Sequence, residues 1–215
     1  MKPELLVDFV ADFVCPWCHV GFAALERAAA TLESDFALRI RFRPFQLSPE
    51  TPAAGVDRAD YYARKFPDPA VLAAGRERIR AMAQDMEMNF DASLPTRLPN
   101  TLIAHQAVAL AYPGGRQRDF VRAVYDAYWS GRADLSSVED FRGIADGIGM
   151  DGAVLARLLA SGAARDEVAS EIEAFRRAGV SGVPTTIVGE RIGFSGALPA
   201  ETMAAALRDA AARLA

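Results

Sequence analysis

The pattern of apolar and polar positions near the start of the chain predicts a strand, a helix and a second strand. Residues 5–10 read Leu-Leu-Val-Asp-Phe-Val, a short apolar run that is typical of a buried strand. Residues 21–32 carry apolar side chains at helical spacing. Residues 36–45 alternate between apolar side chains and arginines, which indicates a strand with one buried face.

Residues 57–178 have a different pattern, because apolar positions recur there at helical spacing and strand alternation is absent. Five or more helices are predicted in this stretch. Strand character returns in residues 184–188 and 191–194, which a tight turn at Gly189 and Glu190 joins into a hairpin. Pro199 then opens a final helix over residues 200–214.

The predicted order is therefore β-α-β, several helices, and β-β-α, which belongs to the α/β (α+β) class. Each flanking piece is too small to fold alone. We expect residues 1–50 and 179–215 to form one sheet-and-helix domain, and residues 51–178 to form an inserted all-helical domain.

Composition excludes several classes of function. The chain has 215 residues, 51% of them hydrophobic and 24% charged, and a formal net charge of −4. It lacks the clustered basic excess of nucleic-acid-binding proteins, and no apolar stretch reaches the length of a transmembrane helix. Residues 1–10 contain Asp8 and lead into no signal-peptide cleavage site. We therefore expect a cytoplasmic protein that acts on neither nucleic acid nor a membrane.

The two cysteines of the chain, Cys15 and Cys18, are three positions apart. A disulfide between them would close a tiny loop and stabilise the fold little, so reactivity or metal binding explains them better. The motif Cys15-Pro16-Trp17-Cys18 follows the first predicted strand and opens the first predicted helix. Backbone N–H groups and the dipole at a helix start would stabilise a thiolate at Cys15, and Pro16 suits the first helical turn.

This placement predicts that Cys15, at the exposed end, is the nucleophile and that Cys18, one turn further along, is the resolving thiol. Trp17 either offers an apolar contact surface beside the sulfur or packs between the two halves of the protein, and both interpretations are open. His19 either supports the thiolate as a cation or lies on the helix surface, and the surface position is preferred.

Three other interpretations of the cysteine pair compete with thiol chemistry. Zinc needs about four ligands, and His19 and His105 are the two histidines of the chain, so no metal site is expected. The string Cys-Pro-Trp-Cys-His matches c-type haem attachment, but that attachment occurs outside the cytoplasm and in a different flanking pattern. The third interpretation is a pair of unreactive buried cysteines.

A second element lies far downstream, where Gly182-Val183-Pro184 enters a predicted strand. Proline is sterically permitted at the first residue of a strand. Its peptide bond could also be cis, and residue types alone do not decide between the two isomers.

Four stretches of the chain together resemble the DsbA-type branch of the thioredoxin superfamily, and most closely its cytosolic FrnE-like group. They are residues 12–18 (Asp-Phe-Val-Cys-Pro-Trp-Cys), Pro99-Asn100-Thr101 with Ala104-His105, residues 179–184, and Ser195-Gly196-Ala197 with Pro199. The resemblance implies a thioredoxin fold with an inserted helical domain. It also implies thiol–disulfide oxidoreductase activity through a redox-active CXXC pair and a mixed-disulfide intermediate.

The resemblance further implies roles for individual residues. Pro184 would be cis and lie against the Cys15 sulfur, and the backbone of Val183 would pair with a bound peptide. The stretch from Asn100 to His105 would begin a helix that faces the active site. For Asn100 a helix cap, and for His105 a packed or surface position, are nevertheless preferred over direct roles.

The related kappa-class glutathione transferases and hydroxychromene-carboxylate isomerases bind glutathione and carry serine at the first motif position. Because Cys15 is present, dithiol exchange is favoured. A glutathione-dependent transferase or isomerase, acting on a small molecule in the interdomain cleft, is the alternative. No tightly bound cofactor is expected, and glutathione is a candidate substrate or reductant. The partner would be a disulfide-containing protein or a small thiol; electron-flow direction and oligomeric state stay open.

Overall fold

The fold was analysed in a computed structural model, which describes residues 2–88 and 90–214. The chain begins with β1 (Glu4–Ala11), α1 (Pro16–Thr31) and β2 (Ala37–Pro44). There follow β3 (Val56–Asp57), α2 (Arg58–Lys65), α3 (Pro69–Asp85) and β4 (Arg97–Leu98). A run of helices comes next: α4 (Leu102–Ala111), α5 (Gln117–Trp129), α6 (Val138–Gly147), α7 (Gly152–Ala160) and α8 (Arg165–Arg177). The described chain ends with β5 (Thr185–Val188), β6 (Ile192–Ser195) and α9 (Ala200–Leu214).

One mixed sheet, in the order β2-β1-β5-β6, unites the two ends of the chain. The central strand β1 runs parallel to β2 and antiparallel to β5. In this register Phe9 lies opposite Phe42 on one side and Thr186 on the other. Because β1 is paired along both edges, the loop that follows it, which carries Cys15, is fixed by the centre of the sheet.

Aromatic side chains from the sheet and from the helical stretch share one core. Phe13 packs between Phe42 of β2 and Tyr125 of α5, with ring centroids 5.0 and 4.9 Å away. Phe9 and Phe22 extend this cluster at a centroid distance of 5.7 Å. Helix α5 therefore packs directly behind the loop that leads to the cysteines. The division into residues 1–50 with 179–215 and residues 51–178 stays a prediction.

The expected α/β class, and the order of strands and helices in the sheet portion, are confirmed. The stretch from residue 57 to 178 is not entirely helical, because β3 pairs antiparallel with β4. Each of these strands has two residues, too few for an alternation to be visible in sequence. Among the described helices, none combines the length and the apolar character needed to cross a membrane.

Candidate active site

Cys15 occupies the N-cap position of α1. Its backbone is extended, with φ −90° and ψ 112°, and its carbonyl accepts hydrogen bonds from the backbone N–H groups of Cys18 and His19. Pro16 is the first helical residue, where a missing N–H leaves no intrahelical hydrogen bond unmade. The strand–cysteine–helix arrangement predicted from the motif is therefore present.

Cys18 lies one turn further along α1 and is completely buried. Burial, followed by interaction with the Cys15 thiol, raises the pKa of Cys18 well above its ordinary value. Both cysteines are free thiols. Cys15 was expected at an exposed end of the motif, but it is only 4% exposed, because side chains from distant parts of the chain cover it. Its accessible part faces a cavity.

The segment Val183-Pro184 lies beside Cys15. The peptide bond between these two residues is cis. The Cys15 thiol faces the Val183 carbonyl at 3.7 Å from sulfur to oxygen. Gly21 of α1 leaves room for the Pro184 ring, since a Cβ at this glycine would come within 3.2 Å of the proline Cγ.

Cys15 lines a cavity of about 310 Å³ between the start of α1, Val183 and helices α2 and α3. This size suits a small organic molecule. Most of the lining is apolar or aromatic, with contributions from Trp17, Leu47, Tyr61, Tyr62, Phe66, Leu72 and Ile79. The remaining lining includes the cations Arg58, Lys65, Arg76 and Arg78 and no carboxylate. The candidate site is thus an apolar cavity with a positive wall.

Trp17 lies in both of the positions considered for it. It lines the cavity beside Cys15, and it packs against the buried cluster that joins α1 to α3 through Ile79. The guanidinium of Arg78 lies 6.0 Å from the centre of its ring.

His19 is not on the helix surface, so the preferred interpretation of this residue is wrong. It is 6% exposed and stacks on Tyr125 at a centroid distance of 5.0 Å and an interplanar angle of 9°. Its Nε2 lies 3.6 Å from a carboxylate oxygen of Asp126. Helix α5 covers this face of α1, a contact between elements over 100 residues apart that sequence periodicity does not report.

Asn100 and His105 do not line the cavity. The Asn100 side chain accepts from the backbone N–H of Leu102 and donates to the carbonyl of Thr51, so it ties α4 to the loop after β2. His105 is 2% exposed, and its Nε2 lies 2.9 Å from the carbonyl oxygen of Phe45. The N-cap residue of α4 is Thr101, so Asn100 lies one position before the cap, while His105 has the packed position of the two preferred for it.

Three residues without an assigned role in the sequence analysis hold the loop before Cys15. Trp129 donates from Nε1 to the Phe13 carbonyl at 3.1 Å, and Tyr125 donates from its hydroxyl to the Asp12 carbonyl at 3.3 Å. Burial raises the pKa of Tyr125 well above its ordinary value, which keeps the phenol protonated as a donor. The Asp12 carboxylate in turn accepts from the backbone N–H of Leu47 at 2.8 Å. No local sequence pattern indicates that Tyr125 bonds this loop, because the two are 113 positions apart.

Metal binding finds no support in the parts of the chain that the structure describes. Within residues 2–88 and 90–214, no three histidine, cysteine, aspartate or glutamate side chains come together as ligands.

Known structures share this architecture. A probable DsbA oxidoreductase from Streptomyces coelicolor is 26% identical, with a TM-score of 0.85 over 96% of this chain and 89% of its own. A 2-hydroxychromene-2-carboxylate isomerase is 20% identical, with a TM-score of 0.72 over 97% and 95%. The cytosolic disulfide reductase DsbM from Pseudomonas aeruginosa, solved with GSH, is 16% identical, with a TM-score of 0.66 over 95% and 98%. The last two likenesses show a common fold.

A family model extends the likeness to the sequence itself. The model of the DSBA-like thioredoxin domain matches residues 6–208, which include both cysteines, strands β2 to β6, helices α1 to α8 and all of β1 except its first two residues. The thioredoxin fold with a helical insertion, expected from the four short stretches, is confirmed. This chain belongs to the DSBA-like thioredoxin domain family.

Proposed function

We propose that this protein is a thiol–disulfide oxidoreductase in which Cys15 is the nucleophile and Cys18 the resolving thiol. One observation carries the proposal: Cys15 is at the start of α1 with its sulfur facing a cavity, while Cys18 is completely buried one turn behind it. A substrate in the cavity can reach the first sulfur and not the second.

The proposed reaction consists of two successive thiol–disulfide exchange steps. The Cys15 thiolate attacks one sulfur of a substrate disulfide, a mixed disulfide forms, and one substrate thiolate leaves and takes up a proton. The Cys18 thiolate then attacks the Cys15 sulfur, and the second substrate thiolate leaves. The protein dithiol is oxidised by two electrons, and the substrate disulfide is reduced to two thiols. The reverse sequence oxidises a substrate dithiol.

Val183 and Pro184 position the substrate in this proposal. The Val183 carbonyl oxygen is 3.7 Å from the Cys15 sulfur, so the backbone of Val183 lies next to the position of a substrate disulfide. A bound peptide or a peptide-like thiol would pair with this backbone, in the manner of an added strand. We further propose a reducing role in the cytoplasm, because DsbM, which shares the fold, is a cytosolic disulfide reductase.

The proposal is tested by catalysis of insulin reduction in the presence of dithiothreitol. We expect acceleration by the wild-type protein and none by Cys15→Ser, because that variant lacks the nucleophile. Cys18→Ser should instead accumulate a mixed disulfide that mass spectrometry of the intact protein detects. An unaccelerated reaction, together with no disulfide between Cys15 and Cys18 after equilibration with a glutathione redox buffer, would overturn the proposal.

A glutathione-dependent isomerase or transferase is the second candidate. The cavity size and its apolar lining favour it, since they suit a small molecule better than a protein segment. The likeness in fold to an isomerase agrees with it. Activity on a small aromatic substrate that requires glutathione and persists in Cys15→Ser would support this candidate over dithiol exchange.

A further inference from the structure

Arg58, the first residue of α2, is a buried cation in the wall of the cavity. It is 5% exposed, and its guanidinium lies between the rings of Tyr62 and Trp129 at 4.7 and 5.2 Å from their centres. Its Nη1 donates to the carbonyls of Ala92 and Pro95 at 2.8 and 3.1 Å. The guanidinium is therefore held in a fixed orientation before any ligand arrives.

Arg58 lacks the counter-charge that a buried cation normally has. Within the described residues, no carboxylate oxygen lies within 4.0 Å of it, and its buried Nε has no hydrogen-bond partner. Burying a charge without a paired opposite charge is unfavourable. By contrast, Arg41 and Arg80 are each paired with a carboxylate at 2.6 Å. The chain has more acidic than basic side chains, with a net charge of −4, so the missing partner of Arg58 is not explained by a shortage of carboxylates.

The rest of the cavity also carries positive charge without negative charge. Its other cations, Lys65, Arg76 and Arg78, also have no ion-pair partner in the described parts of the chain, and no acidic side chain lines the cavity. Focusing of like charge in an apolar cleft raises the local concentration of ligands with the opposite charge. The two carbonyl bonds of Arg58 explain how its Nη1 is satisfied, but they do not explain why four cations face one small cavity.

We propose that the cavity selects a small apolar disulfide that carries a carboxylate, and that Arg58 binds the carboxylate while Cys15 attacks the disulfide. This inference rests on the proposed dithiol exchange and names the substrate class of the same site. The apolar body of the substrate would lie against the aromatic lining, and the carboxylate would accept from the free guanidinium donors. No redox partner is required for one turnover, since the protein dithiol supplies both electrons.

Binding is tested first, and independently of chemistry. Cys15→Ser is titrated with cinnamate and with its neutral isostere cinnamamide, with Trp17 and Trp129 as fluorescence reporters. A charged hydrogen bond predicts at least about tenfold tighter binding of cinnamate, with the preference lost as salt rises. Equal binding of the two compounds would overturn the inference and would leave the proposed dithiol exchange untouched.

Turnover is then compared for an anionic disulfide, dithiobis(nitrobenzoate), and a neutral one, dithiodipyridine. Arg58→Met should lower the rate of Cys15 attack on the anionic disulfide by about tenfold or more and change the neutral reaction little. Arg80→Met is the matched control, because it removes one exposed positive charge of α3 outside the cavity. A similar loss in both variants, or an equal loss for both disulfides, would refute a specific role of Arg58.

Two outcomes separate this inference from the proposed function. If neither disulfide reacts with the wild type while cinnamate binds tightly, the dithiol exchange fails and the anion site stands. If Arg58→Met does not fold, the wild-type preference for cinnamate and its salt dependence still decide. A longer acidic peptide that binds better than cinnamate would contradict a small-molecule substrate.

Discussion

The buried position of Cys18 predicts that the second step of thiol exchange depends steeply on pH. Only a thiolate attacks a disulfide, so the rate of resolution follows the ionised fraction of Cys18. The pKa of Cys18 is raised well above its ordinary value, with burial as the largest cause. Because Cys18 is 0% exposed, burial persists when Cys15 is tied up in a mixed disulfide, and only the contribution of the Cys15 thiol is lost.

The raised pKa of Cys18 also sets how strongly the rate of resolution changes with pH. As long as the pH is below the pKa of Cys18, the thiolate fraction rises about tenfold for each pH unit, so resolution should speed up about 100-fold from pH 7 to 9. The sign is fixed, because the raised pKa means that acid conditions leave the resolving thiol protonated. At a saturating concentration of the disulfide, the mixed disulfide should therefore persist longer at pH 7 than at pH 9.

The assay is stopped-flow mixing of reduced protein with dithiodipyridine, whose neutral charge avoids the positive wall of the cavity. A first, concentration-dependent release of thiopyridone reports attack by Cys15, and a second, concentration-independent release reports resolution by Cys18. Cys18→Ser is the control and should stop after the first release. A second phase with the same rate at pH 7 and 9, or two releases from Cys18→Ser, would refute the reasoning.

Three further predictions concern the packing around the site, each measured by denaturant or thermal unfolding. Trp129→Phe leaves the buried Phe13 carbonyl without its donor at 3.1 Å and should destabilise the fold by about 1–3 kcal/mol; an unchanged stability would contradict this. Gly152→Ala would place a Cβ 2.4 Å from a carbonyl oxygen of α6 and should destabilise the fold by about 1–3 kcal/mol. Gly143→Ala is the control, because the space around that glycine is open, and it should stabilise the fold by up to about 1 kcal/mol. Equal effects of the two variants would contradict the close contact at Gly152. His19→Ala should lower the free energy of unfolding by about 2 kcal/mol or more, because the ring is buried and stacked. A change within about 0.5 kcal/mol is typical of an exposed side chain and would contradict this burial.

Elements with strong local periodicity were predictable, and residues whose surroundings are assembled from afar were not. Strand β1 and helix α9 follow directly from short apolar runs and a proline at a helix start. The burial of His19 depends on the approach of α5, because Tyr125 and Asp126 supply its contacts. A helix-surface position is the reasonable expectation from the sequence around residue 19, since no local pattern encodes a partner over 100 positions away.

The candidate site likewise contains residues that the sequence predicts and residues that it does not. Cys15, Cys18 and Pro184 carry signals in residue type and spacing, which a dithiol at a helix start requires. Arg58 carries none, since an arginine at the start of a short polar helix is normally solvated. Its burial arises because Tyr62 and Trp129 enclose it and the segment from Ala92 to Pro95 turns its carbonyls inward.

In the proposed reaction, reactivity and selectivity belong to different parts of the molecule. The position of the Cys15 sulfur is set by the end of the central strand β1, the start of α1 and Val183, which lies just before β5. The cations that line the same cavity as Cys15 all come from α2 and α3. Exchanging side chains on those two helices should therefore change which disulfides react while the dithiol geometry stays the same. In the proposed reaction, the choice of substrate can thus change without a change in the residues that carry out the exchange.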